Sequence, residues 1–264
     1  MRLLIIQNTV QKKITDSLKN VDNILSKVTD ETIDFIVLPE MFTTPYEVER
    51  FEAYSQTDTS ETITHLQHLA QKYNAYVIGG SVPEKTNTHL YNTSYILNRK
   101  GKIIHKYRKI HLFAITYPNG ETFDERDTLN AGNRLGVFET EFGKMGVMIC
   151  FDIRYPLLAQ KLTNAQVSAI FVPGAFNQFT GPLHWETTFK ARAIDNQLFM
   201  IGCSASSASY GNYQTYGHSL IVDPLGSVID SLKDQEGYLD ITIDLEDITT
   251  VRNKLPIQKM RKPL

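Results

Sequence analysis

The sequence predicts an α/β fold in which two sheets pack face to face, with helices on both outer faces. Three observations carry this. Short apolar β-type runs alternate with segments of helical period over residues 3–80, and the same rhythm returns over residues 154–203. Hairpin patterns follow each of these stretches. A chain of 264 residues, 42% hydrophobic and without a compositional break, suits one domain over 1–264.

Leu3-Leu4-Ile5-Ile6 reads as a buried strand. Residues 15–28 put Leu18, Val21, Ile24, Leu25 and Val28 on one face of a helix. Asp34-Phe35-Ile36-Val37-Leu38 is the next strand and stops at Pro39-Glu40. Together they form a βαβ unit, whose crossover is right-handed. A helix over 61–73 and a strand over 75–80 follow. Residues 93–97 and 102–107 flank the turn Asn98-Arg99-Lys100-Gly101 and read as a hairpin. From there to about residue 133 no period is clear, and a loop of that length is usually functional.

A second hairpin, 135–138 with 144–149, turns at Phe142-Gly143 and leads into Cys150. Helices over 154–162 and 185–196 then alternate with strands over 167–172 and 198–203. A Gly- and Ser-rich loop (204–217) precedes a hairpin (219–222 and 227–231), a strand (238–243) and a short helix (245–254). The tail 256–264 is basic and lacks a core-facing period, which fits a segment that needs a partner surface.

A net charge of -2 without a basic stripe argues against nucleic acid and anionic membranes as partners. The apolar run at residues 3–6 is too short for a membrane span or a signal segment. Two cysteines make a disulfide framework unexpected and a reducing cytoplasm the expected location. No CxxC or HExxH spacing occurs, so no metal site is expected, and a cysteine that supplies the chemistry itself would need no organic cofactor.

Three polar residues each end a predicted strand: Glu40, Lys109 and Cys150. A carboxylate, an ammonium and a thiol suffice for acyl transfer if they meet. A cysteine where a strand turns into a helix is expected to be exposed, near the helix's positive end, and to favour the thiolate. Each has a plainer reading. A lone cysteine after an apolar strand is ordinarily a small buried hydrophobe, and that is the reading for Cys203. Lys109 lies in the mixed run Lys106-Tyr107-Arg108-Lys109, where lysines are usually solvated. His184 and Trp185 read as a helix start, His111 as a residue that orients its loop, and His218 as a packing residue. A papain-like pair of Cys150 with His184 or His218 is the rival arrangement.

The stretches Leu38-Pro39-Glu40-Met41-Phe42, Tyr107-Arg108-Lys109-Ile110-His111-Leu112-Phe113 and Ile149-Cys150-Phe151-Asp152-Ile153-Arg154 resemble the three signatures of the nitrilase (carbon–nitrogen hydrolase) superfamily, in order and spacing. The omega-amidase branch is the nearer resemblance. It is carried by Thr43-Thr44-Pro45-Tyr46, Ile78-Gly79-Gly80-Ser81-Val82-Pro83-Glu84, Pro173-Gly174-Ala175-Phe176-Asn177, Thr180-Gly181-Pro182-Leu183-His184-Trp185-Glu186 and Arg192-Ala193-Ile194-Asp195-Asn196-Gln197.

The resemblance implies a four-layer α-β-β-α sandwich and a homodimer to which the tail contributes. It implies Cys150 as nucleophile, Glu40 as general base and acid, and Lys109 with the Phe151 N–H as oxyanion donors. The family's second glutamate corresponds to Glu125, with Glu121 and Asp124 in the same loop. The implied substrates are ω-amides of small dicarboxylic or keto-dicarboxylic acids, such as succinamate and 2-oxoglutaramate. A distal carboxylate of that kind needs donors, ideally a guanidinium. Arg154 and Tyr46 are the candidates by position, with Phe176 beside them. The alternatives are an aliphatic amidase, an N-carbamoyl hydrolase, a nitrilase, or a non-catalytic binding module on this scaffold.

Overall fold

The computed structural model describes residues 1–28, 32–207 and 213–262. Part of the Gly- and Ser-rich loop (208–212) and the last two residues of the tail lie outside the described residues. In chain order the first half runs β1 (Arg2–Gln7), α1 (Ile14–Leu25), β2 (Phe35–Val37), α2 (Glu61–Lys72), β3 (Tyr76–Ile78), β4 (Val82–Lys85), β5 (Leu90–Leu97), β6 (Ile103–Arg108), β7 (Ala114–Thr116) and β8 (Thr122–Asp124). The second half runs β9 (Val137–Thr140), β10 (Gly143–Val147), α3 (Pro156–Asn164), β11 (Ala169–Gly174), α4 (Gly181–Asn196), β12 (Phe199–Ser204), β13 (Leu220–Val222), β14 (Val228–Ser231), β15 (Gly237–Thr242), α5 (Glu246–Lys254) and α6 (Ile257–Met260).

The first sheet has the order β15-β1-β2-β3-β5-β4, with β6 paired to β5, and the second has the order β14-β13-β12-β11-β10-β9. Strands β1, β2 and β3 are parallel neighbours, as are β10, β11 and β12. Alternation along β1 explains the layering. Leu3 and Ile5 join Val37, Val147, Phe171 and Ile201 between the sheets. Leu4 and Ile6 face outward onto Leu18, Val21, Leu66 and Leu69 of α1 and α2. A strand covered on both faces reads as a continuous apolar run, which is why residues 3–6 show no alternation in the sequence. Helices α3 and α4 cover the other face of the second sheet. The architecture is therefore the expected four-layer α-β-β-α sandwich.

Several boundaries differ from the sequence reading. The helix expected from residue 154 starts as a 3-10 turn at Cys150–Arg154, and the α-helix begins only at Pro156. Proline suits a first helical position and disfavours α conformation in the residue before it. Helix α4 starts at Gly181 rather than 185. Strand β4 was hidden by Pro83, which is tolerated because β4 ends the sheet order. Strands β7 and β8 form a hairpin within the stretch read as loop; three residues each is too short to show a period. The tail forms the single turn α6, with no buried residue, and Gln258 and Arg261 donate to the Asp195 carbonyl at the end of α4.

Candidate active site

Three abrupt strand exits build the site. After β2 the chain turns at Pro39-Glu40, and Met41 takes a positive φ of 50°. The neighbouring Gly80, at φ +53°, lets the backbone pass so close that a Cβ there would stand 2.1 Å from the Pro39 carbonyl oxygen. Ser81 then clamps the turn: its N–H donates to the Pro39 carbonyl, and its Oγ accepts from the Met41 N–H at 3.1 Å. Lys109 follows β6 directly and is anchored by its N–H to the Asn92 carbonyl at 2.8 Å. Cys150 has φ 47°, a left-handed conformation rare for a residue with a Cβ. Such strain concentrates where a side chain must be aimed.

Glu40, Lys109 and Cys150 do not end neighbouring strands of one sheet. Strands β3 and β5 stand between β2 and β6, and Cys150 belongs to the opposite sheet. The three meet because the sheets stack.

The Lys109 ammonium lies between two buried carboxylates, 2.9 Å from Glu40 Oε1 and 2.8 Å from Glu125 Oε2. The Tyr46 hydroxyl donates to Glu125 Oε1 at 2.7 Å and approaches Glu40 Oε1 at 3.2 Å. Asn92 Nδ2 donates to Glu40 Oε1 at 2.8 Å, and the Phe113 N–H to Glu125 Oε2 at 2.7 Å. Glu40 Oε1 is thus crowded, whereas the buried Oε2 has no nitrogen or oxygen donor. The Glu40 carboxyl interacts directly with the Cys150 thiol. Of the three acids in the 121–125 loop, Glu125 is the buried one; Glu121 pairs with Asn119 and Asp124 with Arg126.

Burial raises the Glu40 carboxyl above its ordinary value; Lys109 opposes the rise and Glu125 adds to it. Burial would lower the Lys109 ammonium, but the Glu125 and Glu40 carboxylates outweigh it and hold the charge on. The Cys150 thiol is pushed well up, first by burial and then by the Glu40 carboxylate; Lys109 and the Ala175 N–H pull the other way. This overturns the expectation of an exposed thiolate at rest. Cys150 is 4% exposed, and the five-residue 3-10 turn after it supplies too little dipole to offset the lost solvation. Burial therefore favours a neutral thiol, and it favours proton uptake by the Glu40 carboxylate beside it. The pair can yield a thiolate by transfer at the moment of attack.

The buried Asp152 ties the two sheets together behind these groups. It accepts from the Tyr107 hydroxyl at 2.7 Å, the His111 N–H at 2.9 Å, His111 Nδ1 at 2.7 Å and the Ile149 N–H at 3.1 Å. His111 therefore orients its loop, as expected. His184 and His218 are turned to Arg154 and to the Tyr216 carbonyl, so the papain-like pairing has no geometry here.

The remaining expected residues form a second group. Arg154 lies over the rings of Phe176 and Phe151, 4.8 and 5.6 Å from their centroids. It is close enough to influence Cys150 electrostatically. Tyr46 is not with them: its hydroxyl is engaged by the two carboxylates. A cleft of about 1320 Å³ runs past Tyr46, Tyr117, Phe123, Asn177 and Tyr213. Asn92 and Asp152 were missed in the sequence. A lone Asn at a buried place in a strand was the available signal for the first, since Asn is depleted there. Asp152 offered none apart from lying between Cys150 and Arg154. Among the described residues no group of His, Cys, Asp and Glu could hold a metal ion, and no helix is long and apolar enough to cross a membrane.

Comparison with known proteins identifies the family. The family model for carbon–nitrogen hydrolase covers residues 5–253. The chain is 39% identical over 234 residues to omega-amidase NIT3 of Saccharomyces cerevisiae, spanning 86% of this chain and 80% of that protein. It is 36% identical over 261 residues to omega-amidase NIT2 of Xenopus tropicalis, spanning 99% and 95% respectively. The crystal structure of Saccharomyces cerevisiae Nit3 superposes with a TM-score of 0.90 at 32% identity, over 100% of this chain and 97% of that one. With its fold, its buried Cys–Glu–Lys cluster and these relatives, the chain belongs to the carbon–nitrogen hydrolase family.

Proposed function

We propose that the chain is an omega-amidase, releasing ammonia from the ω-amide of small dicarboxylic or keto-dicarboxylic acid monoamides of the succinamate and 2-oxoglutaramate type. Relatives named omega-amidase support the activity. The observation that carries the substrate class is Arg154, a half-buried guanidinium with no carboxylate partner among the described residues, beside the buried thiol cluster. A distal carboxylate supplies the missing anion.

In the proposed reaction Glu40 takes the Cys150 proton as sulfur attacks the amide carbon. Lys109 and the Phe151 N–H hold the resulting oxyanion. Glu40 passes the proton to the departing ammonia as the carbon–nitrogen bond breaks, leaving a thioester. It then takes a proton from water, which attacks the thioester; the acid leaves and the thiol re-forms. Glu125 and Tyr46 fix Lys109 and Glu40 in place, and Phe176 walls the substrate site with Arg154.

The test is ammonia release from succinamate, with acyl-enzyme detected by mass shift. Arg154→Ala is expected to raise KM for charged ω-amides about tenfold or more, since a buried charge-assisted bond contributes roughly 1.5–3 kcal/mol. An unchanged KM makes Arg154 structural. Preference for an N-carbamoyl or simple aliphatic substrate overturns the substrate class and leaves the acyl chemistry standing.

The same reading includes a single-domain chain acting as a homodimer in the cytoplasm. Exposed Leu157 on α3 and Leu183 and Ile194 on α4 support a partner surface. Two free cysteines suit a reducing compartment. A monomer by light scattering at micromolar concentration contradicts the dimer, and cell fractionation tests the location.

A further inference from the structure

We propose that His184 is a positioning residue: it holds the Arg154 guanidinium over the substrate site and thereby sets the preference for amides with a distal carboxylate. The inference rests on the substrate class proposed above and adds the residue that enforces it.

The geometry is specific. Arg154 Nη1 lies 3.0 Å from His184 Nδ1. A guanidinium only donates, so Nδ1 must be the bare acceptor nitrogen and His184 the tautomer protonated on Nε2. The guanidinium also lies over the ring faces of Phe176 and Phe151, which limit its movement. Arg154 Nε is buried and unpartnered, and His184 is the polar side chain that the guanidinium contacts among the described residues.

The chemistry of the acceptor decides the consequence. A carboxylate at this position would orient the guanidinium equally well but would neutralise it. Imidazole orients it and leaves the positive charge unspent for substrate. The charged group acting on His184 is Arg154 itself, and burial together with that charge lowers the imidazole, favouring the neutral acceptor form. Arg192, further along the same helix, donates to the carbonyls of Ile153 and Arg154 at 2.9 and 3.3 Å. Helix α4 therefore grips both the backbone and the side chain of Arg154.

The test compares succinamate with butyramide, its neutral analogue, in the full-length wild type, His184→Ala and His184→Asn. Asn places an acceptor oxygen where Nδ1 stood and cannot titrate. Expected for His184→Ala is a roughly five- to tenfold rise in KM for succinamate, the size of one misaligned charged hydrogen bond. Its kcat for succinamate and its KM for butyramide should stay within about twofold. His184→Asn should recover most of the succinamate KM. Equal losses on both substrates, or no loss on either, overturn the proposal, as does failure of Asn to rescue with an unchanged melting temperature. A wild type that does not prefer succinamate to butyramide overturns the substrate class itself, whatever the His184 variants do.

Discussion

Cys150 and Cys203 make a natural internal comparison. Both follow an apolar run, both are buried, and in both burial pushes the thiol well above its ordinary value. Cys203 stays in regular strand β12 and lies between the sheets, its single S–H within reach of the carbonyls of Ile6 at 3.2 Å and Val37 at 3.4 Å. Cys150 leaves its strand in a left-handed turn and meets Glu40 and Lys109. Neither burial nor strand position separates a reactive thiol from an inert one. In the proposed reaction a proton acceptor and a fixed cation near the sulfur do.

The sharpest way to break this comparison is to remove each sulfur. Cys150→Ala should lose ammonia release entirely. Cys203→Ala should keep it within about twofold and lose about 1 kcal/mol of stability through its missing hydrogen bond, read by thermal unfolding. Next in size is Glu40→Gln, expected to lower kcat by roughly 10²–10⁴ while the fold survives. A fully active variant would mean the thiol is activated by some other group.

The pH dependence sharpens the contrast from the carboxylate side. Glu40 must be ionised to accept the proton, and its pKa is raised from 4.5, so the acid limb of kcat/KM should lie above pH 4.5. A limb at or below that value contradicts the assignment. Glu84 behaves oppositely. Burial works against its ionised form, but Arg108, Lys106 and Thr93 prevail and hold its carboxyl at about 2, against an ordinary 4.5. Its stabilising contribution is present above pH 4.5 and lost as pH falls through about 2. Glu84→Gln should flatten the stability loss over that window in urea unfolding. Glu40 has the reverse sign: its contribution is present below 4.5 and disappears as pH rises through its raised value. Among the site variants the smallest effect is expected for Asn92→Ala, about tenfold in kcat with KM unchanged, because one donor to Glu40 is lost.

How much of this was legible depends on where each residue stands. Glu40, Lys109 and Cys150 show in the sequence together rather than singly: each ends a β-type run, each alone has a plainer reading, and the three signature stretches around them decide. The layering shows because two-sided burial leaves unbroken apolar runs. The protonation state of Cys150 does not show: a strand-to-helix junction has the same pattern whether solvent or an opposing sheet lies above it. Glu125 was reached through family resemblance, since the β7–β8 hairpin that presents it has strands too short for periodicity. Asp152 works by joining Tyr107 and His111 to the Cys150 turn, a contact between sheets that no local pattern encodes.

The pairing of β15 with β1 has a consequence for biosynthesis. Six residues of β1, from Arg2 to Gln7, are in antiparallel register with Thr242 back to Gly237. One edge of strand β1 therefore waits for a segment that leaves the ribosome more than two hundred residues later. Until then β1 presents unpaired amides and carbonyls flanked by leucine and isoleucine, a template for joining another nascent chain. A chain cut short before β15 should collect in the insoluble fraction even though every residue of the Cys–Glu–Lys cluster has been made.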